Sequence, residues 1–337
     1  MKKIGITTTV PVEVLYAAGY SVVDLNNIFI TSKDYLRYIE IAERDGFPKS
    51  LCAWIKGIYG VCIENGIDEV VGVIEGDCSN TKALIEVLKS KGVKIYPFSY
   101  PAKHTLEEVK KSIDDFIKLF FKGEPIDSNI REKIEDTRKT LSKGRILARR
   151  IDELTCDFKA TGLENHIYQI SLSDFNGDIE GYTEILKEKV KEIESREPKA
   201  KKIKLAYIGV PPMTPDIYDF VEKYDAQIVY NEVQREFAFP RFDRAKDVYE
   251  QYYDYTYPYS LEFRLKEIEK NINERNIDGV IHYTQAFCYR AIDDIVIKSR
   301  LNIPVLNIEG DKLNCLDGRT KIRIEAFLDM LLDLKGD

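Results

Sequence analysis

The sequence predicts an α/β protein made of two doubly wound, parallel-sheet domains with a helical insertion. Three observations carry that expectation. Short apolar runs of the buried-strand type, such as 69–74 and 279–283, alternate with runs of helical length. The alternation lapses after about residue 105, where long charged stretches such as 130–154 and 182–196 dominate. It restarts at 202, after the charged run 188–202. The expected division is therefore an α/β domain over 1–104, a helical segment over 105–198 and a second α/β domain over 199–337.

The elements follow in order. Residues 3–9 read as a strand. The stretch 12–18 reads as a short helix behind Pro11, whose fixed φ suits a first helical turn. A second strand is expected over 21–25, and helices over 33–42 and 51–65, the latter ending at Gly66. Residues 69–74 form a continuous apolar strand, 80–91 an amphipathic helix ending at Gly92, and 94–98 the next strand. The second half repeats the plan. Strands are expected over 202–210, 226–231, 279–283 and 304–308, with helices after Pro215 and over 261–275, 292–300 and 319–334. The two halves share an architecture without a strict sequence repeat.

Composition narrows the function. The chain has 337 residues, 44% of them hydrophobic, and a net charge of −7. An acidic chain of this kind argues against general binding to nucleic acid or membrane surfaces. No apolar run reaches the ~18 residues of a membrane span. The N-terminus enters a strand with no signal-like stretch, so a cytoplasmic location is expected. A disulfide framework is not expected there for the six cysteines. No C-x-x-C, H-E-x-x-H, Walker or G-x-G-x-x-G pattern occurs, and the histidines are only His104, His166 and His282. Zinc hydrolysis, ATP hydrolysis and dinucleotide binding lose their sequence support.

Three cysteines fall where parallel α/β proteins place chemistry. Cys52 stands at the start of the 51–65 helix, Cys78 follows the 69–74 strand, and Cys288 follows the 279–283 strand. Partial positive charge at a helix start favours a thiolate. One such cysteine alone is better read as a buried structural thiol. Three in comparable settings suit an iron–sulfur cluster with one open iron. Cys62 reads as a core residue; Cys156 and Cys315 stay outside the site. Glu75-Gly76-Asp77 and Glu309-Gly310-Asp311 each end an expected buried strand, as amide-binding caps or as polar neighbours of a substrate or cluster. The stretch 249–263 carries six tyrosines before Phe263, read as a packed loop, a ligand channel or a subunit interface.

These pieces in order resemble the 2-hydroxyacyl-CoA dehydratase subunit family, which includes benzoyl-CoA reductase subunits and double-cubane-cluster proteins. The resemblance runs over nearly the whole chain. It rests on Pro11-Val12-Glu13 with Ala17-Ala18-Gly19, the cysteine segment 48–57, Glu75-Gly76-Asp77-Cys78, Gln285-Ala286-Phe287-Cys288, and Glu309-Gly310-Asp311 with 319–327. It implies two flavodoxin-like domains with a [4Fe-4S] cluster held in the cleft between them by Cys52, Cys78 and Cys288. The same resemblance implies a single electron from a separate ATP-hydrolysing iron–sulfur activator, forming a ketyl radical that expels water. A pocket lined by Glu13, Glu75, Gln285 and tyrosines would hold the small, acyl-CoA-like thioester. The few cysteines near Cys52 and after Lys202 favour one four-iron cluster over a double cubane. A homodimer or a heterodimer with a paralogous subunit is implied. The expected activity is that of a lyase or of a low-potential reductase component. The rival reading is a non-catalytic electron-transfer or iron–sulfur scaffold protein.

Overall fold

Eight strands form two sheets in a computed structural model that describes residues 2–121 and 125–336. The strands are β1 (Lys2–Ile6), β2 (Tyr20–Asp24), β3 (Glu69–Glu75), β4 (Lys94–Ser99), β5 (Ile203–Gly209), β6 (Ala226–Asn231), β7 (Gly279–Gln285) and β8 (Val305–Gly310). One sheet has the order β2-β1-β3-β4, the other β6-β5-β7-β8, and every pairing is parallel. The two doubly wound parallel sheets read from the sequence are thus present, as is the helical stretch between them.

The helices in chain order are α1 (Val12–Ala17), α2 (Leu25–Thr31), α3 (Tyr35–Arg44), α4 (Ala53–Glu64), α5 (Ser79–Ser90), α6 (Leu106–Phe120), α7 (Ser128–Cys156), α8 (Gly162–Ile170) and α9 (Ile179–Glu194). They continue with α10 (Asp216–Glu222), α11 (Glu232–Glu236), α12 (Val248–Tyr253), α13 (Leu261–Arg275), α14 (Asp293–Arg300) and α15 (Gly318–Lys335). The chain forms two compact units. The first comprises Met1–Arg145, Ser171–Glu184 and Phe239–Ser260; the second comprises Ile146–Ile170, Ile185–Ala238 and Leu261–Asp337. The stretch 105–198 is shared between them.

In the second unit, β5 shows why the strands read as unbroken apolar runs. Ile203, Leu205 and Tyr207 face one layer, with Ile217 of α10 and Leu328 of α15. Ala206 and Ile208 face the other, with Leu265 and Ile268 of α13. Alternate side chains point to opposite faces, and helices cover both. Each fully buried Leu or Ile contributes roughly 1.5–3 kcal/mol relative to exposure.

In the first unit, two glycines let α4 approach its neighbours closely. A Cβ on Gly57 would lie 2.3 Å from the Phe29 ring of α2. One on Gly60 would lie 2.1 Å from the Tyr38 carbonyl oxygen of α3. The contact seats α4 deeply, and with it Cys52 at its start. No helix among the described residues is long and apolar enough to cross a membrane.

Candidate functional site

In each sheet the first strand pairs with the second on one side and with the third on the other. Sites in open parallel sheets form at the carboxyl ends of the strands where the winding reverses, here between first and third. Cys78 follows β3, the third strand of its sheet, and Cys288 follows β7, the third strand of the other. Each occupies the corresponding place in its own unit.

Cys52 is buried and is the N-cap residue of α4. The loop before it is tied down by Lys56, one turn into the helix. The Lys56 ammonium is fully buried and donates to Glu43 Oε1 at 2.8 Å and to the Lys49 carbonyl at 3.0 Å. Trp54 donates from Nε1 to Asn26 Oδ1 at 2.6 Å, fixing the first turn against α2.

Cys78 is the N-cap residue of α5 and is half-buried. The chain leaves β3 through Gly76 at φ 85°, a left-handed conformation that glycine adopts without steric cost. Space is short there as well, because a Cβ would lie 2.7 Å from that of Tyr100. Thr81 closes the first turn, its N–H donating to the Cys78 carbonyl at 3.0 Å and its hydroxyl to Asp77 at 3.2 Å. Glu75 is exposed and lines a groove of about 530 Å³ at the ends of β3 and β4. Phe98, Ser99, Lys103, Lys111 and Leu119 line it too.

Cys288 follows a tight turn in which its N–H donates to the Gln285 carbonyl at 2.9 Å. Phe287 sits inside that turn at φ 65°. A left-handed residue with a side chain costs roughly 1–2 kcal/mol, so the surrounding contacts must hold the turn. Two of them come from the end of β8. The Ala286 N–H donates to the Gly310 carbonyl at 2.6 Å, and Gln285 Nε2 donates to the Asp311 carbonyl at 2.7 Å. The Glu-Gly-Asp triplets therefore differ in purpose. Gly76 supplies a left-handed bend after a central strand. Gly310, the last residue of the edge strand β8, leaves room for Tyr283 of β7, since a Cβ there would lie 1.7 Å from the Tyr283 hydroxyl oxygen. The expectation that both triplets end buried strands fails for β8, which is mostly half-buried at the sheet edge.

Glu13 lies wholly inside the first unit. Its Oε1 accepts from Arg145 Nη1 and from Gln251 Nε2, each at 2.7 Å, and its Oε2 lies 2.9 Å from the Tyr252 hydroxyl. Burial alone would raise its pKa. The charge and hydrogen bond of Arg145, with that of Gln251, outweigh burial and hold it below the ordinary carboxylate value. A carboxylate so fixed ties the start of α1 to α7 and α12. Gln285 is likewise buried, in the second unit.

The tyrosine-rich stretch within the first unit packs inward, so the packed-loop reading accounts for it. Tyr252 is fully buried and its hydroxyl also lies 2.7 Å from the Val10 carbonyl. Tyr249 bonds to Asp114 and Arg131, and Tyr259 stacks on His104 with centroids 3.8 Å apart. Tyr255 is buried as well. The remaining cysteines sort by environment. Cys62 is a core residue, as expected; burial and then the nearby Asp68 charge push its thiol up to about 12. Cys156 is pushed up to about 11, chiefly by burial. Cys315 is exposed.

The donor chemistry of Cys52, Cys78 and Cys288 fits iron–sulfur ligation. All three are thiols in N-cap positions, and none is disulfide-bonded. Cys52 and Cys78 belong to the first unit and Cys288 to the second. Among the described residues no group of three or more His, Cys, Asp or Glu is drawn together as a metal site. The sequence signalled these cysteines through their strand and helix boundaries. Buried groups such as Arg145 and Gln251 carry no such local signal, because their partner Glu13 is more than a hundred positions away.

Comparison with known proteins identifies the class. The family model for the 2-hydroxyglutaryl-CoA dehydratase D-component matches residues 7–331. The chain belongs to that family. No curated protein matches it.

Proposed function

We propose that the chain is the cluster-bearing component of a 2-hydroxyacyl-CoA dehydratase-type system. It would act on a small acyl-CoA-like substrate by reductive radical dehydration or by reduction. The observation that carries this reading is the family match over nearly the whole chain. The corresponding positions of Cys78 and Cys288 after the third strands support it.

Cys52, Cys78 and Cys288 would hold a [4Fe-4S] cluster. Bound there, it would supply a low-potential electron and an open iron that accepts an oxygen ligand. The rest falls to the chain's own residues. Lys56 and Trp54 hold the Cys52 loop. Gly76 aims Cys78. Glu75 stands on the wall of an open groove, three residues before Cys78, where it can orient a polar substrate group. Gln285, held by the Asp311 carbonyl, fixes the strand end that carries Cys288. Glu13 holds the start of α1 against α7 through Arg145. An ATP-hydrolysing iron–sulfur activator and a second subunit, identical or paralogous, complete the system in this reading.

Anaerobic reconstitution with iron and sulfide tests it. About four irons per chain are expected, the content of one such cluster. Iron content unchanged in a Cys52→Ala/Cys78→Ala/Cys288→Ala variant would refute the ligand set. Water loss from a panel of 2-hydroxyacyl-CoA thioesters, dependent on activator and ATP, separates the enzyme from an electron-transfer protein.

A further inference from the structure

The segment that follows Cys288 is held to its unit by charge. Of the short 3-10 helix Tyr289–Ile292 and α14, the buried side chains are Arg290 and Ile297. The large apolar side chains of the same stretch face outward: Phe287 is 65% exposed, Ile292 69% and Ile295 73%. Apolar burial therefore contributes little to fixing the turn, although Phe287 holds it in a left-handed conformation.

A run of ion pairs supplies the hold. The Gly209 N–H, at the end of β5, donates to Glu232 Oε2 at 2.9 Å. Arg264 of α13 grips Glu232 with both arms of its guanidinium, Nε at 2.8 Å and Nη2 at 3.0 Å, and both side chains are buried. Arg264 Nη1 reaches Asp293 at 3.4 Å, and Asp293 lies 3.6 Å from Arg290 Nη1. Beside it, Asp294 lies 3.0 Å from His282 Nδ1 of β7 and 2.7 Å from Lys298 Nζ. A buried ion pair is seldom more stabilising than well-packed apolar residues of the same volume, but it is strict about direction. The two-pronged Arg–carboxylate contact is the stricter form.

We propose that Glu232, Arg264, Asp293 and Arg290 form a positioning relay that fixes the Cys288 turn against the end of β5. Its purpose, holding one cluster ligand in place, rests on the iron–sulfur reading above; the relay itself can be tested without iron.

The experiment is amide hydrogen exchange on the full chain, with the alkylation rate of each cysteine followed by peptide mass spectrometry. Asp293→Asn removes the charge from the outer link, keeping only a neutral acceptor, and leaves the buried Glu232–Arg264 pair intact. Arg264→Lys keeps the charge and removes the fork. Expected in both is faster exchange confined to 286–292, by about tenfold or more in Asp293→Asn, and faster Cys288 alkylation. Cys78 and Cys315 should alkylate at unchanged rates, and the EPR signature of reconstituted Asp293→Asn should differ from that of the parent. Unchanged exchange at 286–292 in both folded variants overturns the relay. So does exchange raised evenly across the second unit, which marks a general stability effect. If the parent chain takes up no iron while the local exchange result holds, the cluster reading fails and the relay stands.

Discussion

Arg145 donates to Glu13 across 2.7 Å with both side chains fully buried, joining α7 to α1 within the first unit. The Arg145 guanidinium also lies 4.5 Å from the Phe239 ring centroid. Removing one partner strands a charge in the interior. Arg145→Met should cost about 3–5 kcal/mol, a range typical of broken buried pairs. The double variant Glu13→Gln/Arg145→Met should recover part of that loss, because neither charge is then left alone. Denaturant unfolding of the three proteins checks this; equal losses in the single and double variants would show that the pair is not the cause.

Asp24 and Asp174 form a buried pair of carboxyl groups in the first unit. The Asp24 N–H donates to Asp174 Oδ2 at 2.7 Å, and Asp174 Oδ1 accepts from the Asn176 N–H at 2.9 Å. Burial first, then the charge of Asp24, raises Asp174 to about 7, and burial raises Asp24 as well. A raised carboxyl binds its proton more tightly folded than unfolded. Its contribution is present in full below about pH 4 and is lost as pH rises toward 7. Asp174→Asn removes the titration while retaining an amide acceptor. The stability of the variant relative to the parent should therefore rise between pH 4 and 7. A difference independent of pH would refute the assignment.

The sequence disclosed what periodicity and punctuation can carry. Apolar runs such as 69–74, short and bounded by turn residues, read as buried parallel strands, and the 261–275 helix was legible to the residue. The seven-residue α2 was missed, because it starts directly from β2 on an Asp24 cap and is too short to show a period. The return of 171–184 and 239–260 to the first unit has no local signature either. It depends on pairings such as Gln251 with Glu13 and Tyr252 with the Val10 carbonyl, which only the folded chain displays. For the same reason the tyrosines of 249–263 left a packed loop, a ligand channel and a subunit interface all open in the sequence, and their burial favours the packed loop. The candidate cysteines were legible because strand ends and helix starts are local events; the charge relay behind Cys288 was not.

Gly60 gives a test of how Cys52 is seated. An alanine there meets the backbone oxygen of Tyr38, which cannot rotate away, so α3 and α4 must separate. Gly60→Ala should cost about 1–3 kcal/mol, as overpacking generally does. It should also lower iron uptake on reconstitution. Gly318→Ala is the control. It lies at the first residue of α15 with no atom within 4 Å of the added carbon, and alanine favours helix. It should be neutral or slightly stabilising, as measured by urea unfolding. A neutral Gly60→Ala would mean that the two helices are not in close contact there.

The cysteines outside the candidate ligand set should react in an order fixed by their surroundings. Nucleophilic attack requires the thiolate, and access to it. Cys315 is exposed and should be alkylated first. Cys156 is pushed up to about 11 and its Sγ lies 3.2 Å from Arg275 Nη1, so it should follow slowly. Cys62, at about 12 and with its Sγ 3.5 Å from the Ile67 carbonyl, should react last. Raising the pH from 7 to 9 should still leave Cys62 protected, because burial both raises its pKa and excludes the reagent. Timed iodoacetamide labelling of the native chain, read by peptide mass spectrometry, measures the order. Cys62 labelling as fast as Cys315 would show that the α4 core opens readily, and with it the helix that carries Cys52.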